Sequence, residues 1–507
     1  MLNFFKKNYK DENGTMLITV LVITGIFMAI AMGQVSLVTL RYKLNVVKVA
    51  KAQALHVAEA GVNYYRWILY HDHDEYLDRT GCTAGTTCGP FGPYPYSDSA
   101  DGSITGYYEL YITPPAVNGS TIVNIKSIGW LDRYPQVRRS IEVRCGIPSW
   151  SSYSTLADDF MRFGEGTEVW GPIHSNQGIR FDGVAHNIVT SALATTTNAD
   201  SPYNTIFGVY NALPTPADPA PDSNMPPQNV PIKPNVFMAG RSFPVTSVSF
   251  NLLSSYINEI YNLATSSDGI LFDPAVNGSA SPYSKTEYRG CGTSGSTCDE
   301  GFHITLKTNN TFDIRGVTSV QAACGGNPSN SIASEEATVR NYPIPSNGVI
   351  FVKKTLWVDG QINNSRVTIV ADGFSSSTAD ININTNLLYT NYDGSDAIGL
   401  VAQRDISSGL YSDNIYEIDA ALIARTGRIG RENYSGCSTN PNNLRDTIKI
   451  YGSLATKIRY GFSWISGTTR VSGYETRQLE YDNNLTFAPP PHYPTTGEYT
   501  FISWKEN

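Results

Sequence analysis

The sequence predicts a mainly β protein with one long N-terminal α-helix, a small antiparallel sheet and a large β-rich region. An uncharged apolar stretch runs from Thr15 to Leu40 and passes directly into an amphipathic repeat. Apolar and polar residues then alternate between Tyr107 and Arg144, which is typical of antiparallel strands. Short apolar runs separated by Gly, Asn and Asp fill the last third, which favours a parallel β-solenoid over the alternative, a β-sandwich.

The N-terminal stretch has the length and polarity of a membrane span. At about 1.5 Å per helical residue, Thr15 to Leu40 covers roughly 39 Å, enough for a hydrocarbon core of about 30 Å. Lys6, Lys7 and Lys10 precede it, and the positive-inside bias keeps them in the cytoplasm. A secretory signal peptide is the rival interpretation, but its apolar core is usually only about 7 to 15 residues long. We therefore expect a single-pass anchor with the C-terminus outside.

The helix is expected to continue beyond the membrane. After Arg41, basic residues alternate with Leu44, Val47, Leu55 and Val62 at three- and four-residue spacing, which predicts one apolar face. We therefore expect a single helix over residues 15–70.

Three segments of this region carry a resemblance to a known family. The stretch Gly14-Thr-Met-Leu-Ile-Thr19, the apolar run and the phrase His56-Val-Ala-Glu-Ala-Gly-Val-Asn63 resemble the N-terminal domain of PilX-type minor pilins, within the type IV pilin-like superfamily. The resemblance implies that a prepilin peptidase cuts between Gly14 and Thr15 and removes a basic leader of residues 1–14. It also implies that the helix packs against other pilin subunits, first in the inner membrane and then in a pilus at the cell surface or outside it.

Two positions depart from the pattern of major pilins. Thr15 would be the first mature residue, where major pilins usually carry Phe or Met, and Thr19 would be the fifth, where they carry a glutamate. In the superfamily that glutamate pairs with the N-terminal amine of a neighbour, and its loss is tolerated in some minor and tip subunits. The resemblance therefore implies a low-copy place at the tip or in initiation. The alternative is a single-pass surface adhesin whose leader is never cut.

The net negative charge limits the classes of molecule that the protein is expected to bind. Charged residues make up 16% of the chain and the net charge is −8, so little would neutralise the phosphates of a nucleic acid. We expect no nucleic-acid partner, and a surface glycan or a protein remains as the candidate ligand.

Seven cysteines fit an oxidising compartment. Cys82 and Cys88 flank a short glycine-containing loop, as do Cys291 and Cys298, and both pairs predict local disulfides. Zinc is the rival interpretation for each pair, but neither has the ligand spacing of a common zinc module, and we expect no metal. The pairing of the other cysteines stays open: Cys145, Cys324 and Cys437.

Turn signals and changes of periodicity divide the rest of the chain. Residues 71–147 are expected to form an antiparallel meander of the type that pilins pack against their helix. Residues 148–347 are expected to be β-rich, with a proline-rich linker at 213–235 and one amphipathic helix at 250–265. Residues 348–507 are expected to form the solenoid-like region.

No catalytic, cofactor-binding or metal-binding residues are predicted, and we do not expect an enzyme. An anchored β-helix that degrades polysaccharides is the second alternative, because such enzymes use clustered carboxylates with a basic residue. The candidates for that chemistry are Asp372, Asp380, Asp393, Asp396 and Arg404. Their Asp-Gly contexts are turn signatures, so a structural role is favoured. Two further clusters, His71 to Glu75 and Asp299 to His303, are interpreted as solvated segment ends.

Aromatic residues are the remaining candidates for ligand contact. Exposed rings beside Asn and Asp can hold carbohydrate or protein surfaces. The candidates are Tyr389, Tyr392, Tyr411, Tyr416 and Trp464. Because tyrosine also favours strands, no binding residue is assigned from the sequence.

Overall fold

A computed structural model describes residues 13–73, 81–197, 203–213, 216–273, 299–374, 378–437, 439–467 and 469–507. The chain divides into two compact units, which are described separately. The smaller unit contains Met1–Pro114, Val123–Cys145 and Phe501–Asn507. The larger unit contains Pro115–Ile122 and Gly146–Thr500.

The smaller unit combines one helix with a five-stranded sheet. Helix α1 runs over Asn13–His71 and has 59 residues. The strands, in sheet order, are β1 (Cys88–Ser97), β2 (Ile104–Thr113), β3 (Ile122–Leu131), β4 (Tyr134–Gly146) and β33 (Thr500–Glu506). β1 pairs with β2 and β2 with β3 in antiparallel register. The alternation between Tyr107 and Arg144 predicts the second of these pairings, whereas β1 lies before that segment. β33 was not expected in this sheet, because its pairing joins segments more than three hundred residues apart.

The second half of α1 packs on the sheet through small side chains. Ala54, Ala58 and Val62 are fully buried, and they lie on one face of the helix at four-residue spacing. Gly129 of β3 lies against the helix backbone, where an added Cβ would come within 2.9 Å of the Ala58 Cα. The helix and the sheet therefore approach closely because alanine and glycine leave room for it.

The larger unit consists mostly of short strands. In the first part of the chain they are β5 (Thr155–Ala157), β6 (Met161–Phe163), β7 (Thr167–Trp170), β8 (Ile173–Ser175), β9 (Ile179–Phe181), β10 (Val184–Ala185), β11 (Val189–Ser191), β12 (Thr195–Thr196), β13 (Ile206–Phe207), β14 (Val209–Tyr210) and β15 (Arg241–Ser242). After helix α2 (Leu253–Thr265) they are β16 (Ile270–Phe272), β17 (Gly301–Leu306), β18 (Thr311–Val320), β19 (Ile332–Glu335), β20 (Arg340–Pro343), β21 (Val349–Val352), β22 (Leu356–Gln361) and β23 (Arg366–Ala371). The remainder are β24 (Ile381–Asn382), β25 (Leu387–Leu388), β26 (Ala397–Ala402), β27 (Ile406–Ser408), β28 (Ile415–Ala424), β29 (Ile429–Arg431), β30 (Leu444–Thr456), β31 (Ser463–Ser466) and β32 (Thr469–Tyr481).

Most of these strands pair in parallel and form three ladders. Ladder 1 has the order β16-β21-β23-β26-β28-β30-β5-β8-β11-β15. Ladder 2 has the order β17-β22-β24-β27-β29. Ladder 3 has the order β22-β25-β28-β30-β32-β7-β10. β6, β9 and β14 form a separate parallel sheet of three strands.

The order of ladder 1 differs from the order of the chain. Its strands follow the sequence from β16 to β30, and β5 from the beginning of the unit then pairs with β30. The ladder ends at β15, so the segment between Ser242 and Ile270 connects its two ends. Helix α2 lies in this connection and contacts β16 and β21.

Strands β21 and β26 of ladder 1 are buried on both faces. Ile350 and Val352 of β21 belong to the main apolar cluster, whereas Val349 and Phe351 belong to a second cluster that includes Ile257 of α2. Strands covered on both sides need apolar residues at consecutive positions. The apolar runs of the sequence have this cause.

The predicted fold class is confirmed: the protein has one long N-terminal helix, a small antiparallel sheet and a large sheet rich in parallel pairs. A solenoid remains our interpretation of the three ladders. Parallel strands before and after residue 348 share the same ladder, and the expected boundary at that residue stays a prediction. Helix α2 begins at Leu253, after a short 3₁₀ turn at Phe250–Leu252, within the segment where the periodicity predicts it.

Candidate functional site

The first half of α1 presents an apolar surface. From Met16 onward the helix is long and apolar enough to cross a membrane by length and composition. Large apolar side chains such as Leu21, Phe27 and Val35 are exposed over this half. Gly14 and Thr15, the expected cleavage pair, lie in the first turn of α1, and residues 1–12 of the leader lie outside the described residues.

Two cysteine pairs are positioned for disulfides. Cys82 and Cys88 have Cα atoms 5.7 Å apart, within the range for a disulfide. Cys324 and Cys437, whose pairing the sequence leaves open, have Cα atoms 5.8 Å apart. Among the described cysteines Cys145 is unpaired, and burial raises the pKa of its thiol to about 11. The expected pair Cys291 and Cys298 lies outside the described residues.

The residues considered for metal binding do not converge in the described part of the chain. No group of three or more His, Cys, Asp or Glu side chains with metal-binding geometry occurs among the described residues. His71 lies at the end of α1, where its Nδ1 is 2.8 Å from the carbonyl oxygen of Trp67. Asp74 and Glu75 of the same cluster lie outside the described residues.

The aspartates considered for catalysis are engaged in turns and ion pairs. Asp396 is buried and accepts backbone hydrogen bonds from Ser365 and Asn391. Asp393 is exposed and accepts hydrogen bonds from the backbone and hydroxyl of Ser395, which lower its pKa. Asp372 and Asp380 pair with arginines, at 2.5 Å from Arg425 and 2.5 Å from Arg404 respectively. The four carboxyl groups thus stabilise turns and ion pairs in the larger unit.

His303 lies between two carboxylates that the sequence did not indicate. Its Nδ1 donates to Glu335 Oε1 at 2.5 Å and its Nε2 to Asp359 Oδ2 at 2.9 Å. Burial alone would lower the pKa of His303, but the hydrogen bonds to Asp359 and Glu335 outweigh it and raise the pKa to about 9. Arg315 donates to the second oxygen of Glu335 at 3.1 Å. The imidazole is therefore held as a cation at neutral pH.

A cavity of about 210 Å³ adjoins this histidine. Trp357, Asn382 and Tyr411 line it together with His303 and Asp359. The Trp357 indole donates to the carbonyl oxygen of Asn330 at 3.1 Å, which fixes the ring. The cavity has an aromatic wall and a charged end.

The five aromatic residues proposed from the sequence differ in exposure. Tyr389 and Tyr416 are buried, so they serve the core, as the strand preference of tyrosine indicates. Tyr392 and Tyr411 are exposed, and the Tyr392 hydroxyl donates to Asp419 at 2.9 Å. Burial raises the pKa of this aspartate to about 7. Trp464 lies in a second cavity.

This second cavity, named here the arginine cleft, is lined by basic and aromatic side chains. Arg162, Arg428, Arg459 and Arg477 line it with Trp464, and its volume is about 130 Å³. Among the described residues, no Asp or Glu lines the cleft. Guanidinium groups form paired hydrogen bonds with carboxylate, sulfate or phosphate groups, so the cleft has the chemistry of an anion site.

Comparisons with known proteins add little. No protein-family model and no curated protein match the sequence. One solved structure that matches is the competence-associated pilin ComZ from Thermus thermophilus, with 12% sequence identity over 90% of this chain and 97% of that chain. The TM-score is 0.27, and a likeness of this size carries no argument about fold or function.

Sequence reasoning missed the arginine cleft because its members lie far apart in the chain. Arg162 precedes the other three by more than 260 residues, and the net charge of −8 gives no sign of a basic site. Glu335 and Asp359 were missed for the same reason. Only the register of β17 with β22 brings Asp359 near His303.

Proposed function

We propose that the chain is a minor pilin-like subunit of a type IV pilus or a related pseudopilus. The observation that carries the proposal is the two-part helix α1. Its first half is apolar and exposed, as a membrane-inserted and later filament-packed helix requires, while its second half packs on an antiparallel sheet. The resemblance of residues 14–63 to PilX-type minor pilins points the same way.

The proposal includes cleavage by a prepilin peptidase between Gly14 and Thr15. The mature chain then begins with the apolar half of α1, which inserts in the inner membrane and later packs against other pilin subunits. The remainder of the chain lies outside the membrane, in the pilus, at the cell surface or outside the cell.

A low copy number at the tip or in initiation is the proposed place in the filament. Filament helices pack at close intervals, and a second unit covering Gly146–Thr500 would crowd them if every subunit carried it. Thr19, in place of the glutamate of major pilins, supports the same place. The larger unit is proposed to serve adhesion or another interaction.

The test is the copy number in sheared filaments and its dependence on α1. We expect the chain to be present in filaments as a minor component, and Ile26→Lys to remove it from them. A lysine near the bilayer centre costs about 2.5–3.5 kcal/mol on insertion scales. Ile232→Lys is the matched control, because Ile232 is 93% exposed in a loop of the larger unit. A wild-type chain that is absent from filaments, or that dominates them, would contradict the proposal.

A further inference from the structure

The arginine cleft lies where the two parts of the larger unit meet. Arg162 is in β6, between Met161 and Phe163, whose side chains are in the main apolar cluster. Tyr460 comes from the last part of the unit, and its ring centroid is 5.2 Å from that of Phe163. The cleft walls are therefore fixed by core packing from two distant segments.

The described lining of the cleft contains basic side chains and no carboxylate. Four guanidinium groups line a space of about 130 Å³ in a protein whose net charge is −8. Arg477 is 7% exposed and donates to the carbonyl oxygens of Tyr474 at 3.0 Å and Glu165 at 3.1 Å. Backbone carbonyl oxygens hold this buried cation, and the Glu475 carboxylate also favours its charged form. Glu475 does not line the cleft, where Arg477 would face an anion.

A second buried arginine lies behind the cleft wall. Arg431 is fully buried, and its Nη2 donates to the carbonyl oxygens of Leu410 at 3.1 Å and Asn442 at 2.7 Å. Burial lowers the pKa of Arg431 and of Arg477. Of the two, Arg477 lines the cleft, so a bound anion would lie beside a buried cation.

The tryptophan of the cleft is positioned to contact a ligand ring. The Nε1 of Trp464 donates to the carbonyl oxygen of Arg431 at 2.9 Å, and this hydrogen bond fixes the orientation of the indole ring. The Arg428 guanidinium lies 5.7 Å from the ring centroid. Ser463 also lines the cleft, and its Oγ is buried without a hydrogen-bond partner. A ligand with hydroxyl groups could supply that partner.

Asp405 interacts electrostatically with both Arg404 and Arg428. Asp405 Oδ2 lies 3.1 Å from the Nε of Arg404, and its Oδ1 accepts from the backbone nitrogen of Arg428. Asp405 does not line the cleft. The space that a ligand would occupy is therefore bordered by guanidinium groups and not by this carboxylate.

We propose that the arginine cleft binds the carboxylate or sulfate group of an acidic polysaccharide, with one sugar ring beside Trp464. The inference deepens the proposed function, because it names a ligand class for the larger unit, and it rests on that function for its setting at a surface. The cleft is small, and it suits one charged sugar unit better than an extended ligand. A nucleic acid carries a phosphate on every nucleotide, and the net charge of −8 opposes contact beyond the cleft.

The test is equilibrium binding of the purified full chain in detergent. The probes are an oligouronate, a heparin-derived oligosaccharide, a neutral dextran oligomer and a 20-base-pair DNA duplex. The first two separate a carboxylate from a sulfate as the recognised group. We expect one or both acidic glycans to bind, more weakly at higher salt, and the dextran not to bind.

Substitutions locate the binding. We expect Arg428→Gln with Arg459→Gln to weaken glycan binding by about tenfold for each arginine, because each loses a charge-assisted hydrogen bond. Arg459→Gln alone is the safer variant for folding, since Arg459 is exposed. Arg315→Gln and Arg404→Gln are the matched controls, because these arginines pair with carboxylates outside the cleft.

Four results would overturn the inference: no glycan binding by the wild-type chain, equal binding of the dextran, tighter binding of the duplex, or binding unchanged in the double variant. Melting curves of the variants show whether lost binding reflects lost folding. Because binding is measured on the purified chain, it can succeed while filament incorporation fails, and the reverse.

Discussion

His303 shows how strand register creates a cluster that sequence neighbours do not reveal. The sequence places Asp299 and Glu300 close to it, yet its carboxylate partners are Glu335 and Asp359. His303 lies opposite Trp357 in the parallel pair β17–β22, and Asp359 is two residues further along the same strand face. The order of residue types along the chain does not predict which residues of two distant strands lie opposite each other.

The two hydrogen bonds of the His303 imidazole to carboxylates predict that part of the stability of the fold depends on pH. The pKa of His303 is raised from 6.5 to about 9, so its ion pairs stabilise the fold fully below pH 6.5. That contribution is lost as the pH rises through 9. We expect His303→Gln to cost about 1–3 kcal/mol near pH 6 and far less above pH 9. The measurement is the melting midpoint of both chains across this pH range.

His186→Gln is the matched control for that experiment. His186 stacks on Trp170, and its Nε2 lies 3.7 Å from a single carboxylate, that of Glu168. A cost of His303→Gln that stays constant from pH 6 to pH 10 would show that the imidazole acts by packing alone.

Helix α1 changes its role along its length, and the sequence predicts this change but places it near Arg41. Its side chains are mostly exposed up to Val49, and burial against the sheet begins at Ala50. The apolar stretch is uniform around the helix, whereas the later part is amphipathic, and this difference in periodicity predicts both halves. The partner surface on the sheet depends on glycine, which periodicity does not detect.

Substitution of Gly129 tests how closely α1 packs against the sheet. Gly129→Ala places a methyl group against the backbone of α1 at Ala54 and Ala58, and we expect a loss of about 1–3 kcal/mol. The measurement is hydrogen exchange of the amides in β3 and in the second half of α1. Gly164→Ala is the matched control, because nothing lies within 4 Å of its added Cβ. Equal protection in the two variants would contradict the close docking.

Helix α2 and the apolar strands of ladder 1 bury each other's apolar side chains. The sequence predicts the helix from its apolar period and the strands from their consecutive apolar residues. Their contact is a consequence, because Ile257 and Ile260 of α2 bury the outer side chains Val349 and Phe351. The local sequence pattern thus predicts the helix and the strands, and it also predicts that another element must bury the outer apolar face of the strands.

The sequence predicts the main elements of the chain but not the long-range pairing between them. The fold class, the long helix, the small sheet and the apolar strands are all predicted from periodicity. The pairing of β30 with β5 and the place of β33 in the first sheet join segments about three hundred residues apart or more. Neither turn residues nor composition encode such contacts. The arginine cleft belongs to the same class, since it exists only where β6 meets the segment after β30.

A pilin-like subunit loses its leader before it is assembled into a filament. The mass of the N-terminal peptide after co-expression with a prepilin peptidase tests this step. We expect a chain that begins at Thr15, and a Gly14→Lys variant left uncut serves as the control. An N-terminus still at Met1 in the presence of an active peptidase would rule out pilin-like processing and favour a single-pass surface protein.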